Sequence, residues 1–98
     1  VLEKYEFYRI KPIGIEVVNA NEEELKNFGV DYGVRINKLL DDSMIAENLV
    51  GILIIEADDQ PVENIEDLKN IMNNRNPYDP LSLTFVAPNG EQKTYVFR

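Results

Sequence analysis

The chain has 98 residues, 44% of them apolar, and a formal net charge of −8 from 18 acidic and 10 basic side chains. That length makes one domain with one core, and the apolar share argues against disorder. With neither cysteine nor histidine, disulfides, thiolate or imidazole metal sites and the commonest general base are excluded, and the acidic field makes nucleic acid and anionic membranes poor partners.

No apolar run approaches the roughly 20 residues that cross a bilayer. The chain starts at Val1 with no Met and no visible leader, and is expected to be a piece of a longer protein. Residues 1–10 alternate weakly, Tyr5, Phe7 and Arg9 against Glu6, Tyr8 and Ile10, which predicts an N-terminal edge strand or a linker. The domain proper is expected over 11–98.

Pro12-Ile13-Gly14-Ile15-Glu16-Val17-Val18 follows, a proline-bounded apolar turn running into a strand over 14–18. The glycine permits a sharp bend between two β-branched neighbours. If the amides of Ile13, Gly14 and Ile15 point one way, they form an anion-holding concavity, and Pro12, lacking an N–H, costs it nothing. The strand behind it, Ile15, Glu16, Val17 and Val18, could pair with an incoming extended peptide. An ordinary loop entering an ordinary strand is the plainer alternative.

Asn21 reads as a helix N-cap, with Glu24 three residues on completing a capping box and Gly29 as the stop. Glu22, Glu23 and Glu24 form a solvated first turn, since adjacent helical positions fan out rather than converge on a metal. Val34 to Leu39 alternates as a strand, and a short helix is predicted over Met44 to Asn48. Ser43 has no base to activate it. Ile52-Leu53-Ile54-Ile55 has the length and continuity of a strand buried on both faces, and Asp58-Asp59 is turn chemistry rather than a catalytic pair. Asn64 caps the best helix, whose stripe Ile65, Leu68, Ile71 and Met72 packs a core and could wall a groove. A hairpin closes the chain: Leu81, Leu83 and Phe85, the turn Pro88-Asn89-Gly90, then Thr94 to Phe97. The order β-α-β-α-β-α-β-β, with no phosphate-binding glycine motif, predicts an α+β, mainly β domain: a small, partly open antiparallel barrel or sandwich capped by two or three short helices.

Four stretches resemble a PDZ domain of the permuted bacterial kind carried by HtrA/Deg serine proteases. Pro12-Ile13-Gly14-Ile15 resembles its Gly-Leu-Gly-Phe carboxylate loop, Gly33-Val34-Arg35-Ile36 its Gly-Val-x-Val strand opening, and Ser43-Met44-Ile45-Ala46 its Ser-Pro-Ala-Ala turn. The most specific is Asp59-Gln60-Pro61-Val62-Glu63-Asn64-Ile65-Glu66-Asp67-Leu68, which resembles the entry to the groove helix. Ile52 stands where the family usually has Asp, and Asp59 where it has Gly. With the Pro88-Asn89-Gly90 ending, these resemble a diverged second, C-terminal PDZ domain.

The resemblance implies a non-catalytic PDZ fold that takes C-terminal or unfolded peptides, with a periplasmic or envelope location and no metal or cofactor. It places the peptide carboxylate at Pro12, Ile13, Gly14 and Ile15. The peptide strand pairs along Ile15 to Val18, and the last side chain sits against Ile65, Leu68, Ile71 and Met72. A pocket that also includes Ile15 and Val17 is expected to favour an aliphatic or aromatic final residue. The alternative is an assembly module that contacts other domains or subunits of the parent protease, its groove filled by a neighbour or by its own N-terminal segment, for which Tyr5-Glu6-Phe7-Tyr8 is the candidate. With no histidine or cysteine and no catalytic cluster, the chain is not expected to be an enzyme.

Overall fold

Apolar residues at every second position make strands with one face for the core, and in a computed structural model these join into one open antiparallel sheet with a helix against it. The structure describes residues 7–11, 13–41, 43, 45, 47–76 and 78–97. Among them are strands β1 (Phe7–Ile10), β2 (Ile15–Asn19), β3 (Val34–Leu39), β4 (Leu53–Ala57), β5 (Gln60–Pro61), β6 (Leu81–Val86) and β7 (Gln92–Phe97). Helix α1 spans Glu22–Phe28 and α2 spans Ile65–Asn74. The spatial order is β1-β2-β3-β4-β6-β7, with β5 hydrogen-bonded to β4. The domain is thus α+β and mainly β.

The core lies where Ile10, Ile15, Val17, Ile36, Ile54 and Leu83 meet Ile65, Leu68 and Ile71 of α2. The opposite face is also covered along part of its width. Val18, Leu53 and Val86, which share a cross-strand row with Arg35, are all buried. Burial on both faces explains the continuous apolar run in β4, where Leu53, Ile54 and Ile55 are all shielded from water.

Caps set the helix ends. Asn21 Oδ1 accepts from Glu24 N at 2.8 Å and Glu24 Oε1 from Asn21 N at 3.2 Å, the reciprocal pair that the spacing predicts. Gly29, at φ 70°, ends α1 in the left-handed conformation. Asn64 Oδ1 accepts from Asp67 N at 3.0 Å to start α2.

Several boundaries differ from the sequence expectation. β4 begins at Leu53 and reaches Ala57. β7 begins at Gln92, because Val86 and Phe85 of β6 pair with Gln92 and Lys93 before the turn is reached. The short helix expected over Met44 to Asn48 is a single 3-10 turn, Glu47–Leu49; Met44 and Ala46 lie outside the described residues. Asp58 and Asp59 are a two-residue hairpin turn between Ala57 and Gln60, with φ 49° and 64°, the backbone that turn type demands. No helix among the described residues is long and apolar enough to cross a membrane.

Candidate functional site

The predicted amide concavity is built on one glycine. Gly14 has φ +77°, and a Cβ there would come within 2.6 Å of Ser43 Cα. Only glycine fits this turn, which folds the chain tightly against the Ser43 segment. The Gly14 carbonyl accepts from Leu40 N at 2.8 Å, so the loop is also hooked to the end of β3. Of the three amides expected to line it, those of Ile13 and Gly14 are engaged in closing the turn itself. Both donate to the carbonyl of Ile10, at 3.3 and 2.8 Å. Pro12 of the predicted loop lies outside the described residues.

The free strand edge expected along Ile15, Glu16, Val17 and Val18 is already paired. On one side β2 pairs with β3, from Ile15↔Leu39 to Asn19↔Val34. On the other it pairs antiparallel with β1: Phe7↔Val18, Tyr8↔Val17, Arg9↔Glu16 and Ile10↔Ile15. The reason is local. Residues 7–10 carry a strand alternation ending in a core-seeking isoleucine, and the bonds from Ile13 and Gly14 back to Ile10 bring the edge of β2 beside it. Of the predicted plug, Phe7 and Tyr8 lie in this strand, while Tyr5 and Glu6 lie outside the described residues.

The predicted pocket residues fall in one hydrophobic core that also takes in Ile10 of β1. Ile15, Val17, Ile65, Leu68 and Ile71 are buried, Met72 is half-buried, and all belong to one cluster with Ile10, which is 1% exposed. β1 touches α2 as well as β2. Full burial of an isoleucine contributes roughly 1.5–3 kcal/mol. An ion pair with one exposed member contributes about 0–1 kcal/mol, so Ile10 is the main anchor of β1. Tyr8 points to the same side, with Lys69 Nζ 6.0 Å from its ring centre, and burial raises its phenol above the ordinary 10.0. Asn19, at the far end of β2, accepts from Ile65 N at 2.8 Å and fixes the first turn of α2 beside the strand.

On the opposite face a buried carboxylate ties β1, β2 and β3 together. Glu16 is 5% exposed. It accepts from Arg9 Nε at 3.1 Å and Asn37 Nδ2 at 2.8 Å, with Lys38 Nζ at 3.8 Å. Burial pushes its pKa up. The hydrogen bonds from Asn37 and Arg9 and the charges of Lys38 and Arg9 outweigh that and hold it below the ordinary 4.5. The network runs on through Asn37 and Arg35 to Glu24 of α1, where Arg35 donates to Glu24 at 2.8 Å. Beside it lies an open cleft of about 450 Å³ lined by Arg9, Lys11, Lys38, Leu39, Leu40 and Asp41.

Sequence reasoning missed Glu16, Arg9, Asn37 and Asn19 as structural keys. The available signal was the lone acid between Ile15 and Val17, which becomes legible once Arg9 is placed opposite it by the hairpin register. No group of three or more histidine, cysteine, aspartate or glutamate side chains among the described residues is arranged to hold a metal ion. No protein-family model and no curated protein sequence matches this chain.

Proposed function

We propose that this chain is a non-catalytic, PDZ-like interaction module of the kind carried by HtrA/Deg serine proteases, with its peptide groove closed in the resting state by its own β1. A loop of convergent amides, a strand and a helix that begins near Asn64 supply the three parts of such a groove. The observation that carries the closed state is the pairing of β1 with β2, residue for residue, with the Ile10 carbonyl on the amides of Ile13 and Gly14. A closed groove reads no chain ends, so the role of this form is architectural: it positions other domains or subunits of an envelope protease. Peptide reception is the second reading, favoured by the way β1 runs toward the loop in the direction a peptide would take.

The test is a titration of the intact domain with a peptide ending in Val or Phe and with its C-terminal amide. An open groove of this size would bind on the order of 10–100 μM. A tethered strand competes at an effective concentration of roughly millimolar, so neither form of the peptide is expected to bind below about 1 mM. Binding of the free acid at tens of micromolar would show that the groove is open.

A further inference from the structure

We infer that the outer edge of β7 docks a second copy of this chain, strand against strand and antiparallel, about a two-fold axis at Thr94. The inference stands apart from the groove reading, which concerns the β1 end of the sheet.

The sheet order ends at β7, and among the described residues no strand pairs with its outer side. The phase of the β6–β7 ladder decides which main-chain groups face that side. Ala87 N donates to the Glu91 carbonyl at 2.9 Å, so alternation makes Phe85–Lys93, Leu83–Tyr95 and Leu81–Phe97 the hydrogen-bonded pairs. The pairs between them are the non-bonded ones. Thr84 and Thr94 face each other there with hydroxyls 2.9 Å apart, and the N–H and carbonyl of Ser82 turn away from β7 to Asp58. Gln92, Thr94 and Val96 therefore present their N–H and C=O groups outward.

Edge strands are blunted by proline, a bulge, short length or charge. β7 runs from Gln92 to Phe97 in unbroken register with β6, has no proline, and carries one charge, Lys93. Neither of its faces is covered: Tyr95 is 40% exposed on one and Val96 54% on the other. Tyr95 leans on Phe85, with ring centres 5.2 Å apart, so the edge is apolar as well as unpaired.

The phase and the side chains select a second copy as the occupant. With the axis at Thr94, Gln92 meets the partner's Val96 and Thr94 meets the partner's Thr94, which pairs every outward group of both strands. An axis at Tyr95 would push Gln92 past the end of the partner strand. The Thr94 register also sets Lys93 opposite the partner's Tyr95, an ammonium beside a ring. The strand thus complements itself in length, phase and charge. Because each copy carries a net charge of −8, long-range repulsion weakens the pair, and salt relieves it.

The test is sedimentation velocity on the full chain from roughly 10 μM to 1 mM. The wild type is expected to pass from monomer to dimer across that range, and at lower concentration in high salt. Thr94→Lys and Thr94→Glu each place like charges across the axis at an exposed position, and each is expected to weaken the dimer about three- to tenfold. An equimolar mixture of the two variants is expected to recover at least the wild-type affinity. A monomer at every concentration would overturn the inference. So would a dimer that neither variant weakens, or a mixture that does not recover. Growth beyond the dimer would mean a head-to-tail contact, such as β7 against the β1 edge of the next copy, and would overturn it too. Should a variant not fold, amide exchange on the wild-type chain decides. Raising the concentration is expected to slow exchange at Thr94 and Val96 and leave Lys93 and Tyr95, already bonded to β6, unchanged. No slowing at Thr94 and Val96 would overturn the proposal.

Discussion

Glu16 holds Arg9 across the β1–β2 pair at 3.1 Å, on the face of the sheet away from Ile10. The two contacts grip β1 from opposite sides, and their strengths differ. Ile10→Ala is expected to destabilise the domain by about 2–4 kcal/mol through lost burial and the cavity it leaves. Arg9→Ala is expected to cost about 1 kcal/mol, since Asn37 and Lys38 still serve Glu16. Urea denaturation of the two variants measures this, and a larger loss for Arg9→Ala would remove Ile10 as the anchor.

The same carboxylate makes the domain sensitive to acid. Because the folded pKa of Glu16 lies below its ordinary 4.5, its contribution is present above that value and fades as pH falls through the lowered folded one. Stability measured from pH 6 down to 2 is expected to fall less steeply for Glu16→Gln than for the wild type. Parallel curves would mean that the hydrogen bonds from Arg9 and Asn37 do not favour the ionised form.

Gly14→Ala combines a left-handed backbone with a collision against main chain. At φ +77°, with Ser43 Cα 2.6 Å from the new Cβ, the substitution is expected to cost about 2–4 kcal/mol. For a domain of this size that lowers the melting temperature by roughly 10–25 °C. A loss below about 1 kcal/mol would show that the Ser43 segment yields easily.

Asp59→Gly works in the other direction. Asp59 is exposed at φ 64° in the β4–β5 turn, while its neighbour Asp58 holds Arg75 at 2.8 Å and caps Ser82 N at 3.1 Å. Glycine at position 59 removes the left-handed strain without touching those bonds, and is expected to stabilise by roughly 0.5–1 kcal/mol. Asp58→Gly removes both of the side-chain bonds and is expected to destabilise. Thermal melts of the pair check both signs, and equal effects would refute the division of roles.

Most of the fold was legible because its signals are local. Asn21 with Glu24, Gly29, Asn64 and the Asn89-Gly90 turn each fix a boundary with residues a few positions apart. The stripe Ile65, Leu68 and Ile71 and the run Leu53-Ile54-Ile55 each announce their burial by period or continuity. The tight turn of the loop amides was also legible, since Gly14, at φ +77°, advertises a backbone that other residues resist. What fills them was only half legible. The alternation of Phe7 to Ile10 allows a strand, but a four-residue strand has several edges to choose from. The choice of β2 depends on the bonds from Ile13 and Gly14 back to Ile10 and on the burial of Ile10 in the core shared with α2. Glu16 was opaque for a related reason: an acid in an apolar strand reads as solvent-facing until its partners, Arg9 from the strand before and Asn37 from the strand after, are brought to it by pairing.

The direction in which β1 lies on its neighbour has a mechanical meaning. Its hairpin turn is at the Ile10 end, so a pull on residues 1–6 loads the Phe7–Val18 pair first and then each pair behind it, as a zipper opens. A strand loaded in that way gives up its pairs in sequence rather than all together. Peeling from the Phe7 end would therefore break the β1–β2 pairs one at a time, with the buried Ile10 last.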